Sequence, residues 1–164
     1  MHHRTVAAYD RFLGALSKVL AKAEAHCTAK SIKPEAMLTF RLYPDMFPFI
    51  KQVQLTCDFA ARGAARLAGE EPKGFPDTET TFAELQERIS ATRGYMAGFD
   101  AARYEGAEAR PVTLKMRGQD VTMSGEDFFS LYSMPQFHFH MTTAYNILRH
   151  NGVELGKGDY MGAA

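Results

Sequence analysis

Two histidines near the end of the chain, His138 and His140, have the residue type best suited to chemistry in this sequence. They lie two residues apart in a segment with helical periodicity. That spacing rotates them by about 200° around a helix, so a regular helix cannot aim both at one metal ion. His140 falls on the apolar stripe of the segment and is expected to face the core, whereas His138 is expected to face outward. An inward imidazole needs a hydrogen-bond partner, a metal ion or a wet cavity.

Three further polar residues are expected to lie near His140. Gln136 precedes it by one turn on the same face, and Gln54 and Asp58 lie one turn apart on a second predicted helix. These four side chains could line a metal or small-molecule pocket. They could also form a buried polar network that only fixes the helix register. The second interpretation is favoured, because a single inward histidine is more often a satisfied core residue than a ligand.

The remaining reactive residue types form no familiar catalytic motif. Cys27 and Cys57 are not spaced as a Cys-x-x-Cys pair, and Cys57 lies on an apolar stripe where it is best read as a small hydrophobic residue. The sequence has no glycine-rich phosphate loop, no Gly-x-Ser-x-Gly elbow and no His-Glu-x-x-His. Chemistry is therefore expected only around His140.

Composition narrows the class of protein. The chain has 164 residues, with 19 basic and 19 acidic side chains and a formal net charge of zero. A neutral chain without a basic run is a poor nucleic-acid binder, because phosphate contacts supply most of that affinity. No apolar stretch is long enough to span a bilayer, and the first residues lack the apolar segment of a secretory signal. We therefore expect one soluble, cytoplasmic domain over residues 1–164, with no membrane partner.

Four segments have the apolar period of a helix. The first covers residues 5–29, and the second begins near Asp45 as its N-cap and stops near Gly69. Thr81 and Glu84 match a capping box that opens a helix over about 81–98. Ser124 or Gly125 opens the last helical region, which should kink or restart at Pro135, and a fourth helix follows over 136–150.

A change of period interrupts the helices before the last one. Val112, Leu114 and Met116 alternate with polar residues, as do Val121 and Met123, and a glycine-containing turn lies between the two runs. This pattern predicts a β-hairpin over about 111–124. Residues 153–164 are expected to form an extended tail. The predicted fold is thus all-α, a four-helix bundle with a small β-hairpin inserted before the last helix.

Several sequence runs also resemble a known family. They are PQFHFHMTTAYNILRHNGV (135–153), LYPDMFP (42–48), QVQLTCD (52–58) and ETTFAEL (79–85). They are similar to an uncharacterised bacterial domain-of-unknown-function branch of the DinB/YfiT-like superfamily of metalloenzymes, and the resemblance covers essentially the whole chain. It implies a four-helix bundle, often a homodimer. It also implies a divalent metal held by three histidines, one on the second helix and two in a His-x-x-x-His motif on the last.

The chain departs from that ligand pattern. His140 matches the second histidine of the last-helix motif, Gln136 stands in place of the first, and Gln54 is nearest to the position expected on the second helix. Two of the three ligands implied by the resemblance are therefore replaced, and His140 alone is retained.

Two functions remain open at this stage. One is a transferase-like or hydrolase-like enzyme, with a weakly bound divalent metal or none, that uses His140 as ligand or base beside a small molecule. The other is a non-catalytic homodimeric binding or structural protein whose polar network only orders the core.

Overall fold

Helices dominate the structure, a computed structural model that describes residues 1–163. Four of them have 16 residues or more, and the two strands form one antiparallel hairpin. The elements in chain order are a π-helical turn (His3–Ala7), α1 (Ala8–Ala29), α2 (Pro34–Leu38), α3 (Phe49–Leu67), α4 (Phe82–Ala97), a 3-10 turn (Ala101–Tyr104), β1 (Pro111–Met116), β2 (Gln119–Ser124), α5 (Gly125–Asp127), a second π-helical turn (Phe128–Ser133), α6 (Met134–His150) and α7 (Lys157–Met161).

Helix α3 is central to the packing. It contacts α4 and α6, while α1 contacts α4 and α7. Its C-terminal half presents buried alanines at 60, 61, 64 and 65, and small side chains let neighbouring helices approach closely. Aromatic rings fill much of the remaining core, including Tyr9, Phe49 and Phe137, each with no exposed surface. This burial supplies most of the stability of such a fold.

Helix α4 begins where the sequence predicts, whereas helix α3 begins later than predicted. Thr81 accepts the Glu84 backbone N–H at 3.2 Å, and Glu84 accepts the Thr81 N–H at 2.9 Å. Helix α3, however, begins at Phe49 rather than near Asp45, with extended Pro48 as its N-cap. A residue that precedes proline is disfavoured in the helical region, so Phe47 cannot extend the helix backwards.

The predicted hairpin is present. Val112 pairs with Met123 and Leu114 with Val121. Val112 and Leu114 are buried, which attaches the hairpin to the helices. Arg117 and Gly118 form the two-residue turn with φ of 49° and 81°. Positive φ at both central positions matches the right-handed twist of the flanking strands.

The chain before α6 is helical from Gly125 onward, as predicted, and the helix does not restart after Pro135. From Gly125 to His150 the helix continues, and residues 128–133 take the wider π-helical form directly before the proline. Because Pro135 has no N–H, it cannot donate a hydrogen bond to the preceding helical turn, and the π-helical turn lies at that point. The prediction missed the π-helical turn because local sequence does not specify it.

The end of the chain is more ordered than predicted. Instead of an extended tail over 153–164, the structure has α7, and Ala164 lies outside the described residues. The Asp159 carboxylate accepts the Gly156 N–H at 2.8 Å and pairs with Lys22 at 2.6 Å. These contacts attach the tail to α1. Within residues 1–163, every helix is too short or too polar to cross a bilayer.

Candidate functional site

A chain of two hydrogen bonds fixes the protonation of His140. The Gln52 amide nitrogen donates to the Phe47 carbonyl oxygen at 3.1 Å, and the Gln52 amide oxygen lies 2.8 Å from His140 Nδ1. A carbonyl oxygen can only accept, so the amide must direct its oxygen at the imidazole. Nδ1 therefore carries the proton, and Nε2 keeps its lone pair.

Aromatic rings enclose this imidazole. The Phe59 ring stacks on it with centroids 5.5 Å apart and planes 11° apart, and Phe139 meets it edge-on at 5.2 Å. His140 is only 7% exposed, whereas the adjacent Phe139 is 58% exposed. Burial, followed by the positive charge of Lys51, lowers the pKa of His140 to about 4. The side chain is thus a neutral imidazole at physiological pH.

We expect two-dimensional NMR of ¹⁵N-labelled protein to find His140 as the Nδ1–H tautomer, still neutral at pH 6. The reason is that burial penalises the charged ring and the Gln52 oxygen holds the Nδ1 proton. The resonance is assigned by its loss in His140→Gln, with His138→Gln as the matched control on the same helix. An Nε2–H tautomer, or protonation near the ordinary histidine pKa, would contradict the hydrogen-bond chain.

Gln54 and Asp58 belong to a different network, centred on Arg88 of α4. Arg88 is 4% exposed and donates to Asp58 at 2.6 Å and to Glu79 at 2.9 Å. Glu79 also accepts the Gln54 amide at 2.8 Å. Exposed Arg62 completes the network with a bond to Asp58 at 2.8 Å. The network joins α3 to α4 and to the segment between them.

The four residues predicted to share a pocket are therefore divided by their hydrogen bonds. His140 bonds to Gln52, Gln54 and Asp58 bond within the Arg88 network, and half-buried Gln136 has no side-chain hydrogen bond within residues 1–163. Gln52 is not among the side chains that the sequence predicts near His140. Because α3 is buried on most of its circumference, both Gln52 and Gln54 are inside, and periodicity could not tell which of them meets His140.

Two further side chains differ from expectation. Arg88 was missed, although it lies beside Leu85 and Ile89 on the apolar stripe of α4, which was the available signal. His138 does not face solvent freely. It is half-buried, with Nδ1 2.9 Å from the Tyr160 hydroxyl and its ring 4.7 Å from Phe12, because α7 covers that face.

The donor set around His140 does not fit a divalent metal. The nearest polar side chain from the second long helix is the Gln52 amide, and its oxygen already accepts the His140 proton. Within residues 1–163, no three histidine, cysteine or acidic side chains come close enough together to hold an ion. Amide oxygens are weak ligands for the transition metals that imidazole prefers. The chemistry available is that of an uncoordinated imidazole.

The chain is similar to a family of unknown function and to a solved structure. The family model described as a domain of unknown function, DUF1993, matches residues 1–161. The crystal structure of a DinB family member protein from Shewanella denitrificans is 39% identical and superposes with a TM-score of 0.93, covering 99% of this chain and 92% of that chain. A search of curated proteins found no match.

Proposed function

The chain belongs to the DUF1993 family of DinB-like domains, and from that premise we propose that it binds a small molecule at His140. In this proposal the four long helices form a four-helix bundle, and the ligand reaches the imidazole beside Phe139. The family model itself carries no activity, so the proposal depends on the site. Both described cysteines are free and buried, which agrees with a reducing, cytoplasmic location.

The observation that carries the proposal is the hydrogen-bond chain from Phe47 through Gln52 to His140. It holds the ring in one tautomer and leaves Nε2 unprotonated, with no protein partner in the described chain. A pKa of about 4 makes this nitrogen a weak base. We therefore assign Nε2 first to accepting a hydrogen bond from a ligand. Its second role is to take a proton from an attacking nucleophile, as a transferase-like or hydrolase-like reaction requires.

The proposed site works without a metal. The polar side chain that meets His140 from α3 is the Gln52 amide, whose oxygen is already bonded, and the residue one turn before His140 is Gln136 rather than a histidine. Zinc loading followed by elemental mass spectrometry tests this part directly. We expect much less than one zinc per chain. A load near one that disappears in His140→Gln would overturn the metal-free assignment.

A screen of small metabolites by ligand-observed NMR tests binding. We expect at least one compound to bind the wild-type protein and His138→Gln with similar affinity, and to bind His140→Gln at least about 10-fold more weakly. The His140→Gln variant keeps an amide that can donate to Gln52, so the fold is retained while the Nε2 acceptor is lost. Hits that all bind His140→Gln equally, or a screen without hits, would overturn the proposal.

The second candidate is a non-catalytic homodimer whose polar networks only order the core. Two observations favour it. The Arg88 network ties up Gln54 and Asp58, and large apolar side chains are exposed at Phe47, Leu131 and Phe139. In this case His140→Gln changes the free energy of unfolding and leaves every binding signal intact. Light scattering of the purified chain then reports a dimer.

A further inference from the structure

A cleft of about 270 Å³ lies between α3, the π-helical turn at 128–133 and the hairpin. Aromatic rings form much of its wall, namely Phe59, Phe128 and Tyr132. Phe128 is fully buried and stacks on Tyr132 with centroids 6.0 Å apart, so this wall is held rigidly. None of residues 134–150 lines the cleft, although its wall and the environment of His140 share the Phe59 ring.

The charged lining of the cleft is entirely cationic. Arg62 and Arg66 lie one turn apart on α3, and Lys115 extends from the hairpin, while no acidic side chain lines the wall. Arg62 is paired with Asp58 at 2.8 Å, and Lys115 lies 3.6 Å from Asp120. The half-buried side chain of Arg66 makes no hydrogen bond or ion pair within residues 1–163.

Arg66 is therefore the one cationic side chain of the cleft lining that has no acidic partner within residues 1–163. A guanidinium carries five N–H donors, and a partly buried one normally finds acceptors. Burial lowers the pKa of Arg66, and the neighbouring charge of Arg62 lowers it further, against a smaller opposing effect of Glu71. A bound anion would relieve both effects, because it replaces lost water and compensates the repulsion between the two guanidinium groups.

We propose that this cleft is a binding site for a small aromatic carboxylate, held by Arg66 and sandwiched against the aromatic wall. The guanidinium matches a carboxylate with two parallel hydrogen bonds. The half-buried rings of Phe59 and Tyr132 offer an apolar surface for the body of the ligand. The volume suits a molecule with a single ring, since drug-sized ligands occupy about 300–1,000 Å³. A bare phosphate would leave the aromatic wall unused.

Calorimetric titration with benzoate tests the site, with acetate, benzyl alcohol and inorganic phosphate as comparison probes. We expect benzoate to bind in the micromolar to millimolar range. Arg66→Gln should weaken it at least 10-fold, and Arg66→Lys by an intermediate factor because the charge remains without the fork. Arg11→Gln is the matched control, since it removes one exposed arginine that does not line the cleft.

Each probe has a decisive result. Benzoate that fails to bind, or binds Arg66→Gln as tightly as wild type, overturns the proposal. If benzyl alcohol binds as tightly as benzoate, the site does not require a carboxylate. If acetate binds as tightly as benzoate, the site does not require an aromatic ring. If phosphate binds more tightly than benzoate, the ligand class is reassigned and the proposal is overturned as well. His140→Gln should bind benzoate normally, so failure here is distinguishable from failure at His140.

Discussion

Replacing Arg88 with methionine is expected to lower the free energy of unfolding by about 3–5 kcal/mol. The arginine is almost fully buried and neutralises Asp58 and Glu79, which are themselves 8% and 10% exposed. Methionine fills similar space but leaves Glu79 without its cation, and Asp58 then keeps only exposed Arg62. An uncompensated buried charge costs far more than the ion pair contributes. Chemical denaturation followed by circular dichroism measures the change.

The matched control is Arg93→Met on the same helix. Arg93 pairs with Asp10 at 2.7 Å, but both side chains are more than two-fifths exposed. An exposed ion pair contributes about 0–1 kcal/mol, so this variant should remain close to wild type. Equal losses in the two variants would show that the Arg88 network is not buried as described.

The combined variant Arg88→Met with Asp58→Asn separates charge from packing. Removing one stranded carboxylate should recover part of the loss, because the neutral amide is cheaper to bury than an unpaired charge. The recovery is a coupling free energy between two residues that touch, 2.6 Å apart. No recovery would mean that Arg88 acts through packing alone.

Gly125→Ala is expected to destabilise the protein by at least about 3 kcal/mol, because the added methyl group has no space. A Cβ at this position would overlap the Ala107 carbonyl oxygen and lie 3.2 Å from a Leu67 methyl group. The oxygen belongs to backbone, which cannot move aside as a flexible side chain can. A hydrogen bond from Glu126 N–H to the Glu108 carbonyl at 3.0 Å fixes the same contact.

Gly94→Ala, in the interior of α4, is the control variant, and its expected change in stability has the opposite sign. A Cβ there would meet nothing within 4 Å. Alanine is favoured over glycine inside a helix, so this variant should gain about 0.5–1 kcal/mol. Thermal and denaturant unfolding of both variants measure the contrast. A Gly125→Ala variant as stable as wild type would contradict the close approach of residues 107 and 125.

The consequences of Gly125→Ala should extend to the cleft. Gly125 opens the helical stretch that contains Phe128 and Tyr132, so a shift of its backbone displaces two rings of the aromatic wall. We therefore expect Gly125→Ala to bind benzoate more weakly than the wild-type protein does.

Local sequence signals determined much of the fold. The capping box at Thr81 fixed where α4 begins, and alternation on both sides of Gly118 fixed the hairpin, because both depend on residues adjacent in the chain. The inward direction of His140 also followed from sequence, since its helix has a distinct apolar stripe. The family itself was identified from short runs of residues that the matching family model covers.

Only the tertiary structure decided which side chains meet. Helix α3 is buried on most of its circumference, so no periodic pattern could choose between Gln52 and Gln54 as the partner of His140. Arg88 gathers carboxylates from residues 58 and 79, and α7 covers His138, through contacts between distant parts of the chain. Which side chains meet depends on how whole helices and strands pack. The apolar period of a single segment contains no information about that packing.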